Sequence, residues 1–205
     1  MSVEEPGVQD NTISDRRIGR AADWQAVFGN DRPVQIEIGP GKGTVLLQLA
    51  QIFPEHNLLG IEWAAEFYRH AARRSRFWKA GNVKLLRTDA REFLIDRVPT
   101  ASVLAVHAYF ADPWPKSRHA GRRLFIPEFC RAAARVIKPG GKIFAATDHQ
   151  PYGEEIHANL SAVPQLREAD HRVLEGRSLE TLESNYEAKF VKEGRKISRM
   201  AFERV

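Results

Sequence analysis

A strand, a glycine-rich turn and a helix follow one another early in the chain, and this unit constrains the fold more than any other stretch. The apolar run Val34–Ile38 is typical of a buried strand, and the alternating glycines Gly39, Gly41 and Gly43 predict a sharp turn after it. The apolar periodicity of Thr44–Phe53 then predicts a helix. Because glycines let the backbone approach a ligand and a helix N-terminus presents free N–H groups, the unit predicts a nucleotide-like ligand.

The spacing of this turn does not match two familiar phosphate-binding motifs. Thr44 occupies the position where a dinucleotide fingerprint requires its third glycine, and the Gly-Lys-Ser/Thr ending of a P-loop is absent. A nicotinamide-dependent oxidoreductase is therefore a weaker interpretation of the turn than a protein that binds another nucleotide-like ligand.

Acidic residues lie at or near the end of each predicted strand, or shortly after it. The further strands are predicted at Asn57–Glu62, Asn82–Arg87, Val103–Phe110 and Lys142–Thr147, and the acids are Glu37, Glu62, Asp89, Asp112 and Asp148. The carboxyl ends of neighbouring strands in a doubly wound sheet open into one crevice, so these acids are expected to surround one ligand. Glu62 lies roughly 20 residues beyond the turn, where an acid accepts hydrogen bonds from ribose hydroxyls. Asp89 is expected to accept one from an adenine amino group.

The loop after the strand Val103–Phe110 combines an acid, a stiff turn and a cationic cluster. It begins at Asp112 and reads Asp-Pro-Trp-Pro-Lys-Ser-Arg-His-Ala-Gly-Arg-Arg, so that prolines restrict the backbone on both sides of Trp114. Its basic residues are Lys116, Arg118, His119, Arg122 and Arg123. Because no acid follows Asp112 within this run, the lone carboxylate beside a cationic cluster at the end of a strand is a candidate functional site.

Length and composition indicate the domain organisation, the kind of partner, the location and the absence of a predicted metal site. We expect a flexible N-terminal leader over residues 1–30 and one domain over residues 31–205. The net charge of +5 permits a polyanionic partner without requiring one. A polar N-terminus and the lack of a long apolar run predict a cytoplasmic protein that does not bind a membrane. The single cysteine, Cys130, and the scattered histidines predict no metal site.

Two stretches near the C-terminus, Asn185–Val191 and Lys196–Phe202, alternate between apolar and polar residues. A turn containing Glu193, Gly194 and Arg195 separates them. The pattern predicts an antiparallel hairpin that closes the sheet.

Taken together, these motifs resemble those of the bacterial tRNA (guanine-N7)-methyltransferases. The resemblance covers the chain from about residue 34 onward and depends on Glu-Ile-Gly-Pro-Gly-Lys-Gly, Gly-Ile-Glu, Thr-Asp-Ala, Lys-Pro-Gly-Gly, Ala-Thr-Asp and, above all, Asp-Pro-Trp-Pro-Lys-x-Arg-His with its trailing Arg-Arg. It implies an α/β fold of the Rossmann-like class I methyltransferase type, with a doubly wound, mostly parallel seven-strand sheet. It also implies transfer of the methyl group of S-adenosyl-L-methionine (AdoMet) to N7 of a guanosine in the tRNA variable loop.

The resemblance also implies roles for particular residues. AdoMet contacts are implied for Glu37, Gly39, Gly41, Gly43, Glu62, Asp89, Ala90 and Asp112, and Asp112 is implied as the catalytic acidic residue. Substrate contacts are implied for Lys116, Asp148, Ser184, Asn185, Tyr186 and Glu187, and RNA contacts for Arg118, His119, Arg122 and Arg123. The partner is expected to be tRNA, no metal is expected, and the chain is expected to act as a monomer or a homodimer.

Two positions depart from the family pattern. Gly121 stands where a lysine usually precedes the Arg-Arg pair, which removes one charge from a phosphate contact. Ser184 stands where a threonine is usual, and this change keeps the hydroxyl.

The implied chemistry requires positioning rather than proton removal. Guanine N7 carries a lone pair and no proton, so no general base is needed at the attacked atom. Positive charge passes to the purine during transfer, and a carboxylate that accepts from N1–H and the exocyclic amine stabilises it. Asp112 and Asp148 both suit this role. Trp114 either stacks on a base or braces the loop.

Two alternatives remain open at the level of sequence in addition to the nicotinamide-dependent oxidoreductase. One is an AdoMet-dependent methyltransferase acting on an exocyclic amine of a nucleic acid, although that loop type places its aromatic residue after the second proline. The other is a nonenzymatic RNA-binding protein on the same scaffold, although such a protein would be expected to lose Glu37, Glu62 and Asp89.

Overall fold

An eight-stranded sheet forms the centre of the computed structural model, which describes residues 11–205. The strands are β1 (Thr12–Ile13), β2 (Val34–Ile38), β3 (Asn57–Ile61), β4 (Val83–Leu86), β5 (Val103–Tyr109), β6 (Ile137–Thr147), β7 (Leu166–Ala169) and β10 (Ser198–Arg204), and β8 (Val173–Leu174) and β9 (Arg177–Ser178) form a separate hairpin. The helices are α1 (Asp15–Ile18), α2 (Trp24–Phe28), α3 (Thr44–Ile52), α4 (Ala65–Phe77), α5 (Ala90–Asp96), α6 (Pro127–Val136), α7 (Gln150–Ser161) and α8 (Asn185–Lys192), with one 3-10 turn at Ser117–Arg122.

The strand order is β1-β4-β3-β2-β5-β6-β10-β7, and the strands from β1 to β6 pair in parallel. Strand β10 is antiparallel to both of its neighbours, β6 and β7. The order reverses between β2 and β5, where the chain has first moved outward through β3 and β4 and then returned. This reversal opens the crevice in which doubly wound sheets bind ligands.

Helices cover both faces of the sheet. One face packs against α1, α2, α5, α6 and α7 around buried side chains such as Ile36, Val106 and Phe129. The other face packs against α3, α4 and the segment that contains Leu174 and Leu179. The doubly wound, mostly parallel fold predicted from the sequence is therefore confirmed, with eight strands rather than seven.

The additional strand, β1, comes from the N-terminal stretch predicted as a leader. Residues 11–30 also contain α1 and α2, and they bury Ile13, Ile18 and Val27 in the core. This part of the chain is packed against the domain, whereas residues 1–10 lie outside the described part of the chain.

The C-terminal hairpin was predicted with the wrong partner for the last strand. Residues 185–192 form helix α8 instead of a strand, and β10 pairs with β6 and with β7. Ser184 accepts a hydrogen bond from Glu187 N at 3.0 Å, which is the N-terminal half of a helix capping box. Tyr186 and Phe190, four residues apart, then share one face, with their ring centroids 6.2 Å apart.

Strand β6 also begins earlier than the predicted start at Lys142. Its pairing with β5 shifts in register after Val103, because the Lys-Pro-Gly-Gly segment forms a bulge within the strand. A Cβ atom on Gly141 would lie 2.4 Å from Leu104 O, so this close approach requires glycine.

Among residues 11–205, no helix is both long enough and apolar enough to cross a lipid bilayer.

Candidate active site

Backbone hydrogen bonds hold the carboxyl ends of the central strands at one level. The bonds are Gly39 N to Ile61 O at 2.8 Å, Glu62 N to Leu86 O at 3.0 Å, and Phe110 N to Ala146 O at 2.7 Å. The loops that carry the predicted site residues therefore leave the sheet side by side, in the order 89, 62, 39–43, 112 and 148 along one edge. The structure thus brings the five predicted acids to one crevice edge, although they are separated in sequence.

The glycine turn is fixed by the acid that follows β3. Glu62 is 7% exposed, and its Oε2 accepts from Gly41 N at 3.1 Å while its Oε1 accepts from Ala64 N at 2.9 Å. Gly43 has a φ of +75°, and a Cβ there would lie 3.1 Å from Ala71 Cβ on α4. Glycine is therefore needed both for the left-handed backbone and for the close packing of the turn on α4.

Thr44 occupies the place of a third fingerprint glycine, and it joins three elements through its hydroxyl. Arg74 Nη1 donates to Thr44 Oγ1 at 2.7 Å and to Lys42 O at 2.9 Å. Asn185 Nδ2 on α8 donates to the same hydroxyl oxygen at 3.0 Å. The absence of the third glycine therefore has a structural reason, because this position links the turn to α4 and α8.

Glu37 is the buried acid of the crevice. It is 3% exposed, and its Oε2 has no hydrogen-bond partner among the described residues. Burial, with a smaller contribution from the Glu62 carboxylate, raises the pKa of Glu37 to about 8. A buried carboxyl oxygen without a partner is costly unless a ligand supplies a donor.

A cavity of about 430 Å³ opens beside Glu37. Its walls include Gly39, Thr44, Phe67, Tyr109 and the Ser184–Tyr186 segment. A smaller cavity of about 230 Å³ shares Tyr109 and Val45 with it and is also lined by Glu187 and Arg199. The predicted substrate segment 184–187 therefore lies next to the glycine turn, between the two cavities.

Asp89 follows β4 and caps helix α5. Its Oδ1 accepts from Arg91 N at 2.8 Å and from Glu92 N at 3.3 Å. Both bonds use the same oxygen, so the cap holds the carboxylate in place while Oδ2 is the oxygen available to a ligand. Ala90 is the first residue of α5.

The loop after β5 is held in an unusual backbone conformation. Phe110 has a φ of +57° and Trp114 a φ of +39°, both in the left-handed region that non-glycine residues rarely adopt. Arg123 Nε donates to Pro113 O at 2.8 Å, and Nη2 donates to Trp114 O at 3.2 Å. The same guanidinium forms an ion pair with Glu155 on α7. Arg123 is therefore placed as a brace of this loop rather than as a surface cation.

The other polar residues of the loop face solvent. Asp112 and Lys116 are exposed, and the Asp112 carboxylate makes no hydrogen bond or ion pair with the described residues. The Arg122 guanidinium lies 5.0 Å from the Trp114 ring centroid, and His119 meets the same ring edge-on at 5.7 Å. The indole is thus covered partly by the loop's own basic side chains.

Two of the predicted substrate acids are paired with arginines. Asp148 Oδ2 accepts from Arg195 Nη1 at 2.6 Å, and Glu187 forms an ion pair with Arg199 on β10. Asp112, in contrast, is exposed and has no such partner among the described residues. The structure therefore distinguishes Asp112 from Asp148, which suit the contact with guanine equally well at the level of sequence.

Tyr109, Arg74 and Arg199 are site residues that the sequence did not single out. Arg74 and Arg199 belong to runs that are typical of a solvated helix face and of a strand. Tyr109 ends an apolar strand and has no motif around it, although its position directly before the loop at the crevice is a usable signal.

No group of three or more His, Cys, Asp or Glu side chains within residues 11–205 could hold a metal ion.

Comparison with known proteins shows the family of this chain. A family model described as "Putative methyltransferase" matches residues 31–200. The tRNA (guanine-N(7)-)-methyltransferase of Geobacter metallireducens is 36% identical over 185 residues, which cover 86% of this chain and 84% of that protein. The enzyme of the same name from Nitrosococcus oceani is 36% identical over 179 residues, which cover 87% of this chain and 75% of that protein.

Solved structures agree on the fold. The precorrin-6y C5,15-methyltransferase of Geobacter metallireducens superposes with a TM-score of 0.59 at 17% identity, covering 85% of this chain and 82% of that one. At this identity the likeness supports the fold alone, while the closer relatives carry the family assignment. The resemblance inferred from the sequence motifs is therefore confirmed, and this chain belongs to the tRNA (guanine-N(7)-)-methyltransferase family.

Proposed function

We propose that this protein transfers the methyl group of AdoMet to N7 of a guanosine in tRNA, and that the guanosine lies in the variable loop. The observation that carries the proposal is the convergence of Glu37, Glu62, Asp89 and Asp112 on one crevice edge, beside the basic loop 116–123. Relatives that align over most of this chain bear the name of that activity.

The residues of the crevice fit AdoMet. Glu62 is held by two backbone N–H groups in a fixed orientation, which suits it to accept hydrogen bonds from ribose hydroxyls. The unpartnered Oε2 of Glu37 suits a cationic donor such as an ammonium group. Asp89, held by its cap bonds, is placed to accept from the adenine amine. AdoMet supplies a methyl group on a sulfonium centre, which leaves as a neutral thioether.

Asp112 is the better candidate for the carboxylate that meets the guanine. It is exposed and unpaired among the described residues, whereas Asp148 is held by Arg195. A carboxylate that accepts from N1–H and the exocyclic amine stabilises the positive charge that develops on the purine. Asp148 and Glu187, each held by an arginine, are the further acids that we assign to contact with the nucleotide.

The nucleotide has to reach the site outside a regular RNA helix. The N7 edge of a paired guanine faces the deep, narrow groove of A-form RNA, which side chains do not enter. A variable-loop guanosine that can unstack meets this requirement, and the exposed basic residues of the loop would contact the neighbouring phosphates.

The decisive experiment is to incubate the protein with isotopically labelled AdoMet and tRNA from a strain that lacks N7-methylguanosine. Nucleoside digestion and mass spectrometry then identify the product, and nuclease mapping identifies its position. We expect labelled 7-methylguanosine at a single variable-loop position. A label on an exocyclic amine would support the amine methyltransferase, and tRNA binding without any label would support the nonenzymatic alternative.

The two adjacent arginines of the loop are expected to behave differently when each is replaced by alanine. Arg122→Ala should weaken tRNA binding and reduce the slope of log K against log salt by about one, because an exposed cation that neutralises a phosphate is lost. Arg123→Ala should leave that slope unchanged. It should instead lower the free energy of unfolding by about 1–3 kcal/mol, because Glu155 and two loop carbonyls lose their donor.

Filter binding at several salt concentrations and urea unfolding of both variants separate the two roles. Arg167→Ala, on the far edge strand β7, serves as a matched surface control. A reduced salt slope in Arg123→Ala together with normal stability would show that Arg123 contacts RNA directly.

A further inference from the structure

A line of hydrogen-bonded polar side chains crosses one face of the central sheet. It starts at Tyr109 beside the two cavities and ends at acidic residues on the surface. The contacts are Tyr109 Oη to His107 Nδ1 at 2.9 Å, His107 Nε2 to Gln35 Oε1 at 2.9 Å, Gln35 Nε2 to His56 Nδ1 at 2.7 Å, and His56 Nε2 to Glu175 Oε2 at 3.1 Å. Gln35 and His107 are fully buried in adjacent strands, where polar side chains persist only when their bonds are satisfied.

The surface end of the line fixes the direction of its hydrogen bonds. His56 Nε2 faces the carboxylates of Glu175 and, at 3.6 Å, of Glu55, so this nitrogen carries a hydrogen. Burial lowers the pKa of His56 despite these two acids, which keeps the ring neutral. In a neutral ring the other nitrogen, Nδ1, is an acceptor, and the Gln35 amide N–H must donate to it.

The donors and acceptors between Gln35 and the cavity are assigned by the same argument. Because its N–H group is directed at His56, Gln35 presents its carbonyl oxygen to His107, and His107 Nε2 carries the hydrogen. Burial lowers the pKa of His107 to about 3, so this ring is also neutral and its Nδ1 accepts. Tyr109 therefore donates its hydroxyl hydrogen to His107, and the ring of His107 is held in place by stacking on Phe144 at 4.8 Å.

At the cavity, the Tyr109 hydroxyl can therefore act only as a hydrogen-bond acceptor. Tyr109 lines both cavities, and with its hydrogen committed to His107 its oxygen presents lone pairs. The carboxylates of Glu37 and Glu187 lie close enough that both help to raise its pKa, after the larger effect of burial. Glu37 Oε2 has no partner among the described residues. The Tyr109 oxygen and the unpartnered Glu37 oxygen are thus two acceptors that line the larger cavity, and such a pair is suited to a group with several N–H hydrogens and a positive charge.

We propose that Tyr109 Oη accepts a hydrogen bond from the α-ammonium group of the methyl donor, and that His107, Gln35 and His56 are positioning residues that hold its hydroxyl in the accepting orientation. This inference rests on the proposed function, because it takes AdoMet as the donor. It extends the donor site from the crevice edge along one face of the sheet to the opposite edge, where the strands begin.

The first test replaces Tyr109 by phenylalanine, which keeps the ring and removes the acceptor. Calorimetry would compare two ligands, S-adenosylhomocysteine, which has the α-ammonium group, and 5′-methylthioadenosine, which lacks it. We expect the Kd of Tyr109→Phe for S-adenosylhomocysteine to rise about tenfold or more, as for a lost bond to a charged group. We expect the Kd for methylthioadenosine to stay within about twofold of the wild-type value.

The second test separates the positioning residues from the contact itself. Gln35→Met breaks the line at its centre without lining either cavity, and it should weaken S-adenosylhomocysteine binding several-fold. The double variant Gln35→Met with Tyr109→Phe should bind no more weakly than Tyr109→Phe alone, because Gln35 acts through the Tyr109 hydroxyl. If Gln35→Met does not fold, His56→Phe provides the same cycle, since it keeps a ring stacked on Phe53.

Several outcomes would overturn the proposal. Equal losses for both ligands in Tyr109→Phe would mean that Tyr109 shapes the cavity without contacting the ammonium group. Additive losses in the double variant would remove the positioning role of the line. Normal wild-type binding with an unaffected Tyr109→Phe would overturn this inference alone, whereas a wild-type protein that does not bind S-adenosylhomocysteine would overturn the proposed function with it.

Discussion

Replacement of Asp112 by alanine is expected to lower kcat for tRNA methylation by at least about 100-fold, which is the range found when one preorganised electrostatic group is removed from an active site. The carboxylate lies on a strained, braced loop at the crevice edge and is unpaired among the described residues. Its negative charge is therefore available to the purine that becomes cationic during transfer. The Kd for S-adenosylhomocysteine should change by less than about threefold, because Glu37, Glu62 and Asp89 remain.

Single-turnover methylation with labelled AdoMet measures the chemical step, and calorimetry measures ligand binding. Asp112→Asn is the matched control for shape: it keeps an acceptor oxygen but loses the charge, and we expect it to recover only a small part of the activity. Asp148→Asn should raise KM for tRNA more than it lowers kcat, because that acid is paired with Arg195. Near-normal turnover in Asp112→Ala with a large loss in Asp148→Asn would exchange the two roles.

The strand ends were predictable because they depend on local pattern. Each central strand is a short apolar run, and in a parallel sheet the loops that follow such strands all lie at the carboxyl edge. Glu62, Asp89 and Asp112 could therefore be placed at one edge from the sequence alone. The glycine turn was predictable for the same reason, since alternating glycines directly before a helix are typical of a tight turn whose backbone approaches a ligand.

Helix α8 was not predicted because two periodicities fit the same residues. Tyr186, Ala188 and Phe190 alternate as in a strand, while Tyr186 and Phe190 also lie one helical turn apart. The Ser184 and Glu187 pair was the deciding signal, because its spacing matches a helix N-cap. This cap also explains why serine can replace the family's usual threonine, since either hydroxyl accepts the same backbone bond.

The partners of buried and braced residues were not predictable from sequence. Arg122 and Arg123 are identical neighbours in a basic run, yet only Arg123 reaches Glu155, which lies on a helix that the sequence places 32 positions away. Gln35 and His107 are polar residues in apolar strands, and their pairing depends on the register between β2 and β5. Such contacts join distant segments, so local pattern carries no information about them.

The burial of Glu37 leads to the second large effect, on stability. The pKa of this carboxyl is about 8 in the folded protein and ordinarily 4.5, so between these values the folded state holds a proton that the unfolded state has lost. Stability from this group is therefore fully present below about pH 4.5 and is lost as pH rises through about 8. The shift corresponds to up to about 5 kcal/mol, as an order of magnitude.

We therefore expect Glu37→Gln to be more stable than the wild type by several kcal/mol near pH 9 and nearly equal to it near pH 5. Glutamine keeps the shape of the side chain and remains uncharged at every pH. Urea unfolding at the two pH values gives the difference between the proteins, in which the titrations of all other groups cancel. Glu128→Gln, an exposed glutamate on α6, is the control for loss of one negative charge.

The gain in stability should carry a cost in binding, because the same carboxylate is proposed to face the ammonium group of the donor. Glu37→Gln is expected to bind S-adenosylhomocysteine at least about tenfold more weakly than the wild type near pH 8. A variant with higher stability and weaker ligand binding would show that the buried charge is retained for the ligand at the expense of the fold. A variant with the wild-type pH dependence of unfolding would instead show that Glu37 is ionised in the folded protein at neutral pH, in contact with a donor that stabilises its charge.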